Sequence, residues 1–130
     1  MTWRYHYTIH GRPVSKKNGH RVRYCRGRQF VGNSFQYIDW AESAIMELKC
    51  QRGRTPTIPI AEKVGITLTV FLDKGQREMD LDNVLGAPFD ALEGAGVVKN
   101  DRQFKLVRCD QLRDPLDPRI EIELTPWVDS

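Results

Sequence analysis

The chain of 130 residues has only three cysteines, Cys25, Cys50 and Cys109, widely separated and odd in number. That excludes a disulfide framework and a zinc-ligand spacing, and leaves free thiols suited to a reducing compartment. Long apolar runs are missing too. The longest apolar-leaning stretch, Val64 to Leu72, contains Gly65, Thr67 and Thr69 and is far shorter than the roughly 20 residues needed to span a bilayer. No charged region followed by an apolar core opens the chain, so we read no secretory signal and expect a cytoplasmic, intracellular protein with no membrane contact. There is no internal repeat and no low-complexity tract. The length and an ordinary composition suit one domain over residues 1–130 with one core.

Acidic residues are absent from the first 38 positions, which hold eight basic ones: Arg4, Arg12, Lys16, Lys17, Arg21, Arg23, Arg26 and Arg28. The other 92 residues carry twelve basic and all seventeen acidic side chains, a net of −5 against +8 at the front. The overall charge of +3 hides this segregation, which points to a polyanion partner for the N-terminal segment. Tyr5, Tyr7 and Tyr24 lie among these charges, with Trp3 and His20 nearby, and could stack on unpaired bases. For Trp3, Tyr5, Tyr7 and Ile9, strict alternation with Arg4, His6, Thr8 and His10 favours the buried face of a strand instead. Lys16 and Lys17 carry no such ambiguity, because an unpaired lysine is rarely buried.

Periodicity then gives a coarse order of elements. A strand is expected over residues 2–10, ended by Gly11-Arg12-Pro13, and a hairpin over 20–31 around Arg26-Gly27. Asn33-Ser34-Phe35-Gln36 resembles a capping box, and Ile38, Ala41, Ile45 and Leu48 recur at helical spacing, predicting a helix over about 34–51. Val64, Ile66, Leu68, Val70 and Leu72 alternate as in a central strand, followed by a turn at Asp73-Lys74-Gly75. Between Asp82 and Ala95, residues Val84, Leu85, Pro88, Ala91, Leu92 and Ala95 share one helix side, while Asp82, Gly86, Asp90 and Glu93 share the other. Pro88 suggests a kink or a delayed helix start, and Gly94 or Gly96 an end. Phe104 and Leu106, then Ile120, Ile122 and Leu124, read as strands joined across Asp114-Pro115 and Asp117-Pro118. This order implies an α/β (α+β) domain, a mixed sheet flanked by two helices.

The chemistry concentrates in Asp80-Leu81-Asp82-Asn83, followed after seventeen residues by Asp101. Three carboxylates on loop edges can gather a hard divalent cation, which takes oxygen ligands and needs few of them when substrate phosphates supply the rest. Extended backbone would turn Asp80 and Asp82 to one side and Leu81 inward. A calcium loop of the EF-hand type is excluded, because its fifth and sixth positions are Val84 and Leu85. The competing role for Asp80 or Asp82 is to cap the following helix, and one residue can do both.

These residues, with Phe89-Asp90-Ala91-Leu92 and Gly96, resemble the signature of the RusA family of Holliday junction resolvases, and the similarity spans nearly the whole chain. The resemblance implies a homodimeric, Mg²⁺-dependent endonuclease, bacterial or phage-encoded, that nicks opposed strands of a four-way DNA junction; Mn²⁺ would also serve. It implies Asp80, Asp82 and Asp101 as catalytic metal ligands, while the charge segregation of the N-terminal segment assigns Arg12, Lys16, Lys17, Arg21 and Arg23 to the DNA. The metal would acidify and orient a water and neutralise charge on the phosphoryl oxygens. Two departures stand out. Gly86 replaces the family's usual lysine one helical turn after Asp82, and Lys99, Lys105 or an N-terminal cation would have to supply that charge. Asn100 replaces an aspartate common in relatives, which tunes the local charge. Asp90 is read as a solvated or hydrogen-bonding helix residue outside the metal set. The alternative from the same fold is a dimeric branched-DNA-binding protein weakened or inactivated by Gly86. A small-molecule phosphohydrolase would use the same carboxylates, but the concentrated positive charge favours a longer polyanion.

Overall fold

In the computed structural model, residues 3–15, 20–25, 28–33, 35–53 and 58–128 are described. They form β1 (Tyr5–His10), β2 (His20–Cys25), β3 (Arg28–Asn33), α1 (Phe35–Arg52), β4 (Val64–Leu72), α2 (Leu81–Gly94), β5 (Phe104–Arg113) and β6 (Arg119–Pro126). The strands build a four-stranded sheet in the order β1-β6-β4-β5 and a separate β2-β3 pair. Within the larger sheet β6 runs antiparallel to β1 and β4, and β5 runs parallel to β4. The result is a mixed sheet with two helices, an α+β fold, and among the described residues no helix is long and apolar enough to cross a membrane.

Alternation sets which face of the sheet is covered. Ile66, Leu68 and Val70 of β4 pair with Leu124, Ile122 and Ile120 of β6, which in turn face Tyr5, Tyr7 and Ile9 of β1. All of these are buried except Tyr5, which is half-buried. They form one core with Tyr37, Trp40, Ala44 and Leu48 of α1 and Val84, Ala87, Ala91 and Leu92 of α2. Each fully buried aliphatic side chain of this kind contributes on the order of 1.5–3 kcal/mol. The opposite face carries His6, Thr8, Thr67, Thr69, Glu121 and Glu123 around a shallow polar recess, as expected of a sheet with one wet side.

The two sheet edges differ. Along β1, the carboxamide of Gln51 on α1 bonds both the Thr8 N–H and the Thr8 carbonyl (2.8 and 2.7 Å), and Glu47 accepts the His10 N–H at 2.8 Å. Among the described residues nothing pairs with the outer edge of β5. That strand also exposes Leu106, Val107 and Leu112.

The expected strand at 2–10 is observed from Tyr5, and the hairpin is seen as β2 and β3, whose connecting residues 26 and 27 lie outside the described set. The capping-box reading rests on the side chain of Asn33 and on Ser34, which also lie outside it. Pro88 does not delay α2. The helix begins at Leu81 and runs through Pro88, whose ring joins the buried face.

Candidate active site

The loop from β4 into α2 is fixed before it reaches its carboxylates. Gly75 takes φ +72°, which suits a residue without Cβ. Asp73 accepts the Lys74 N–H (2.7 Å), and Gln76 accepts the Asp73 N–H (2.9 Å) while donating to the Pro13 carbonyl (2.7 Å). Arg113 of β5 donates to the carbonyls of Asp73 and Gln76, and Arg12 lies 3.4 Å from the Asp73 carboxylate. One residue before Asp80, Met79 is bracketed by Gln111 of β5: its N–H donates to Gln111 Oε1 (2.8 Å) and its carbonyl accepts from Nε2 (2.7 Å).

Asp80 is the N-cap of α2 by position. Its carbonyl accepts the N–H groups of Asn83 and Val84 at 3.0 Å, but its carboxylate makes no capping bond. The carboxylate is therefore exposed and uncommitted among the described residues, although Asp is a favoured cap. Asp82 stands exposed in the first helical turn, where the partial positive charge of the helix N-terminus offsets some of its repulsion with Asp80. The expectation of extended backbone with Leu81 turned inward is corrected here. The helix has already begun at Leu81, so strand alternation does not apply, and Leu81 is 58% exposed.

Asp101 opens a short 3₁₀ turn, Asp101–Gln103, on the far side of α2. Asn100 caps it by accepting the Arg102 N–H at 2.8 Å. Gln103 returns its side chain to the N–H groups of Lys99 and Asn100 (2.8 and 3.0 Å) and anchors its amide on the carbonyls of Ile60 and Glu62 (both 2.8 Å). The Asp101 N–H donates to Glu93 Oε1 at 2.6 Å. The Asp101 carboxylate is exposed and has no bond among the described residues. Asn100 thus has a conformational role that an aspartate could also fill.

The three aspartates are not gathered within one chain. Asp80 and Asp82 stand at the start of α2, and Asp101 is tied to Glu93 in its last turn. Fourteen helical residues separate the two ends by about 20 Å at 1.5 Å per residue. Among the described residues no three His, Cys, Asp or Glu side chains come together to hold a metal ion. Strand β5 shows the same separation, since it starts directly after Asp101–Gln103 and its Gln111 clasps Met79.

The cations divide between these ends. Arg12 is beside the loop leading to Asp80, while Lys99 and Lys105 are exposed at the Asp101 end. Arg21 and Arg23 belong to β2, with their side chains outside the described set, and Lys16 and Lys17 lie outside it altogether. Asp90 accepts a hydrogen bond from the Tyr37 hydroxyl (3.2 Å), as read for a hydrogen-bonding helix residue. Burial, then the neighbouring Asp90 charge, pushes the Tyr37 phenol up to about 12. Sequence reasoning missed Glu93, Gln103 and Gln111 as supports. Only Gln103 had a local signal, the Asn-x-x-Gln spacing of a capping box.

A family model described as "Endodeoxyribonuclease RusA" matches residues 10–125, most of the chain. No curated protein matches it.

Proposed function

The chain belongs to the RusA endodeoxyribonuclease family, and on that premise we propose that it is a homodimeric, divalent-metal-dependent nuclease that cuts four-way DNA junctions. Each site would be assembled from Asp80 and Asp82 of one copy and Asp101 of the other. The observation that carries this reading is the position of the carboxylates. All three are exposed and free of protein partners among the described residues, yet they sit at opposite ends of one helix.

A second copy related by a two-fold axis resolves that separation. The open edge of β5, with exposed Leu106 and Leu112, is the surface such a copy would cover. An antiparallel meeting centred near Leu106 and Val107 would bring the Gln111 end of one strand, with its Asp80 loop, to the Asp101 end of the other. Two-fold symmetry makes that contact twice, giving two equivalent sites. Paired sites suit paired nicks on opposed strands.

The donor set suits a hard cation such as Mg²⁺ or Mn²⁺: carboxylate oxygens not already consumed by capping or salt bridges. A bound divalent ion supplies Lewis-acid charge at the phosphoryl oxygens and a more acidic water. The protein's own part is placement. Gln111 fixes the backbone before Asp80, and Gln103 fixes the backbone before Asp101. Arg12 stands beside the Asp73–Gln76 loop that leads to Asp80, and with Lys16 and Lys17, which follow it in sequence, it would contribute phosphate contacts. Phosphate contacts from such residues release counterions and make junction binding fall steeply with salt.

Subunit mixing tests the assembly. Asp82→Asn and Asp101→Asn chains, each inactive alone, are allowed to exchange and then given a four-way junction with Mg²⁺. A composite site places both defects in one site of the heterodimer and leaves the other intact, so nicking returns on mixing. No recovery, with exchange verified by differential tagging, would put all three ligands on one chain and overturn the assembly. Full cleavage by either variant alone would overturn the site itself.

A further inference from the structure

We infer that Glu93 is a positioning residue: its carboxylate sets the direction of Asp101 by holding the Asp101 backbone N–H, and so governs how well the site takes its metal. This rests on the reading of Asp101 as a metal ligand.

The backbone around Asp101 leaves Glu93 a defined task. Gln103 Oε1 accepts from Lys99 and Asn100, the Asn100 side chain accepts from Arg102, and the Asn100 carbonyl accepts from Gln103 (3.3 Å). The Asp101 N–H is the one left over in this turn, and Glu93 takes it at 2.6 Å. Bonds from an N–H to an ionised carboxylate are short and roughly twice as strong as neutral ones. Since the Asp101 side chain has no bond of its own among the described residues, its direction follows from this backbone.

Glu93 is also a poor choice for the helix alone. It stands in the last turn of α2, where the macrodipole disfavours an anion, and no basic residue in that turn offsets it. A local rule broken without local compensation is a mark of a functional or strained position. The platform that carries it is firm. Next to it, Gly94 packs so closely on α1 that a Cβ there would lie 2.6 Å from Ile45 Cδ1. Beyond it, Gly96 turns the chain with φ +73°, and Val97 N–H donates to the Leu92 carbonyl at 3.0 Å. Glu93 therefore reaches Asp101 from a point anchored on both helices.

The test compares Glu93→Ala, Glu93→Gln and Asp101→Asn with the native chain. In metal-free protein, amide hydrogen exchange at Asp101 is expected to quicken in Glu93→Ala and stay slow in Glu93→Gln, whose neutral carbonyl oxygen still accepts the bond. In junction cleavage, the Mg²⁺ concentration for half-maximal rate is expected to rise by about 10- to 100-fold in Glu93→Ala, the range seen when the support of a metal ligand is removed. Glu93→Gln is expected to recover most of that rise. Thermal melts confirm that each variant is folded. Native exchange and native Mg²⁺ dependence in Glu93→Ala, with Asp101→Asn inactive, would overturn the positioning role alone. Equal impairment of Glu93→Gln and Glu93→Ala would also overturn it, assigning the effect to charge. Full activity of Asp101→Asn would instead remove the reading beneath it.

Discussion

Gln51 treats Thr8 as a neighbouring strand would, accepting its N–H at 2.8 Å and donating to its carbonyl at 2.7 Å. An edge strand invites pairing with another chain, and a side-chain amide that occupies it from an adjacent helix blocks that pairing. Gln51→Leu is expected to lower the stability of the fold by about 1–2 kcal/mol, since each lost hydrogen bond is worth about 1 kcal/mol where water can partly replace it. Urea denaturation measures this, and a midpoint equal to the native one would show that the clasp is ornamental.

The close approach at Gly94 predicts coupling between α1 and α2. A Cβ there meets Ile45 Cδ1 at 2.6 Å and Cγ1 at 3.1 Å. Gly94→Ala gains up to about 1 kcal/mol of helix propensity but incurs an overpacking cost of about 1–3 kcal/mol. Ile45→Val removes the nearer methyl. The double variant is therefore expected to be more stable than the sum of the single effects, by about 0.5 kcal/mol or more. Simple additivity in a double-mutant cycle would mean that the helices separate freely at this point.

Local pattern was enough for the elements and too little for their assembly. The alternation of Val64 to Leu72 and the 3.6-residue repeat of α1 are imposed by neighbours in sequence, and both elements were legible almost to the residue. The pairing of β4 with β5 in parallel, and with β6 on its other side, depends on chain paths that alternation does not encode. Leu81 shows the same limit at the site. Asp-x-Asp reads equally as strand edge or helix start, and the tertiary context chose the helix. Asp80, Asp82 and Asp101 could be singled out in sequence as candidate ligands, but their separation along α2 could not, because it follows from where the helix begins and ends.

The Tyr37–Asp90 bond predicts a distinct alkaline limit. The phenol is raised from its usual 10 to about 12 in the folded chain, by burial first and the Asp90 charge second. A group raised in the fold contributes stability that is complete below its unfolded value and lost as pH climbs through its folded one. The stability difference between the native chain and Tyr37→Phe should therefore be constant below pH 10 and shrink between pH 10 and about 12. Paired urea titrations across that window check it, and a constant difference throughout would break the link.

The open edge of β5 makes a prediction about assembly. Leu106 and Leu112 are 49% and 52% exposed, so changing either within one chain should shift its folding stability by no more than about 0.5 kcal/mol. Leu106→Lys places a charge at the centre of the proposed seam. It is expected to give a folded monomer by sedimentation and to lose cleavage together with dimerisation. A dimer that survives Leu106→Lys intact would move the interface to another surface.

Gly86 lies one turn after Asp82 inside α2, where a family lysine would aim its charge at the phosphate. In the proposed composite site that charge would have another route, because exposed Lys99 and Lys105 flank Asp101 in sequence and would enter the partner's site with it. Gly86→Lys is expected to stabilise the helix by up to about 1 kcal/mol, since glycine is a poor interior helix residue, and an Asp-to-Lys spacing of four adds a few tenths more. If the lysines at the Asp101 end already supply the charge, cleavage by Gly86→Lys stays near the native rate while Lys99→Met or Lys105→Met slows it. If the native site lacks the charge altogether, Gly86→Lys raises the rate sharply and the two methionine variants do nothing. Single-turnover cleavage of a four-way junction by the three variants separates these outcomes. It also decides whether Gly86 marks a relocated cation or a site left without one.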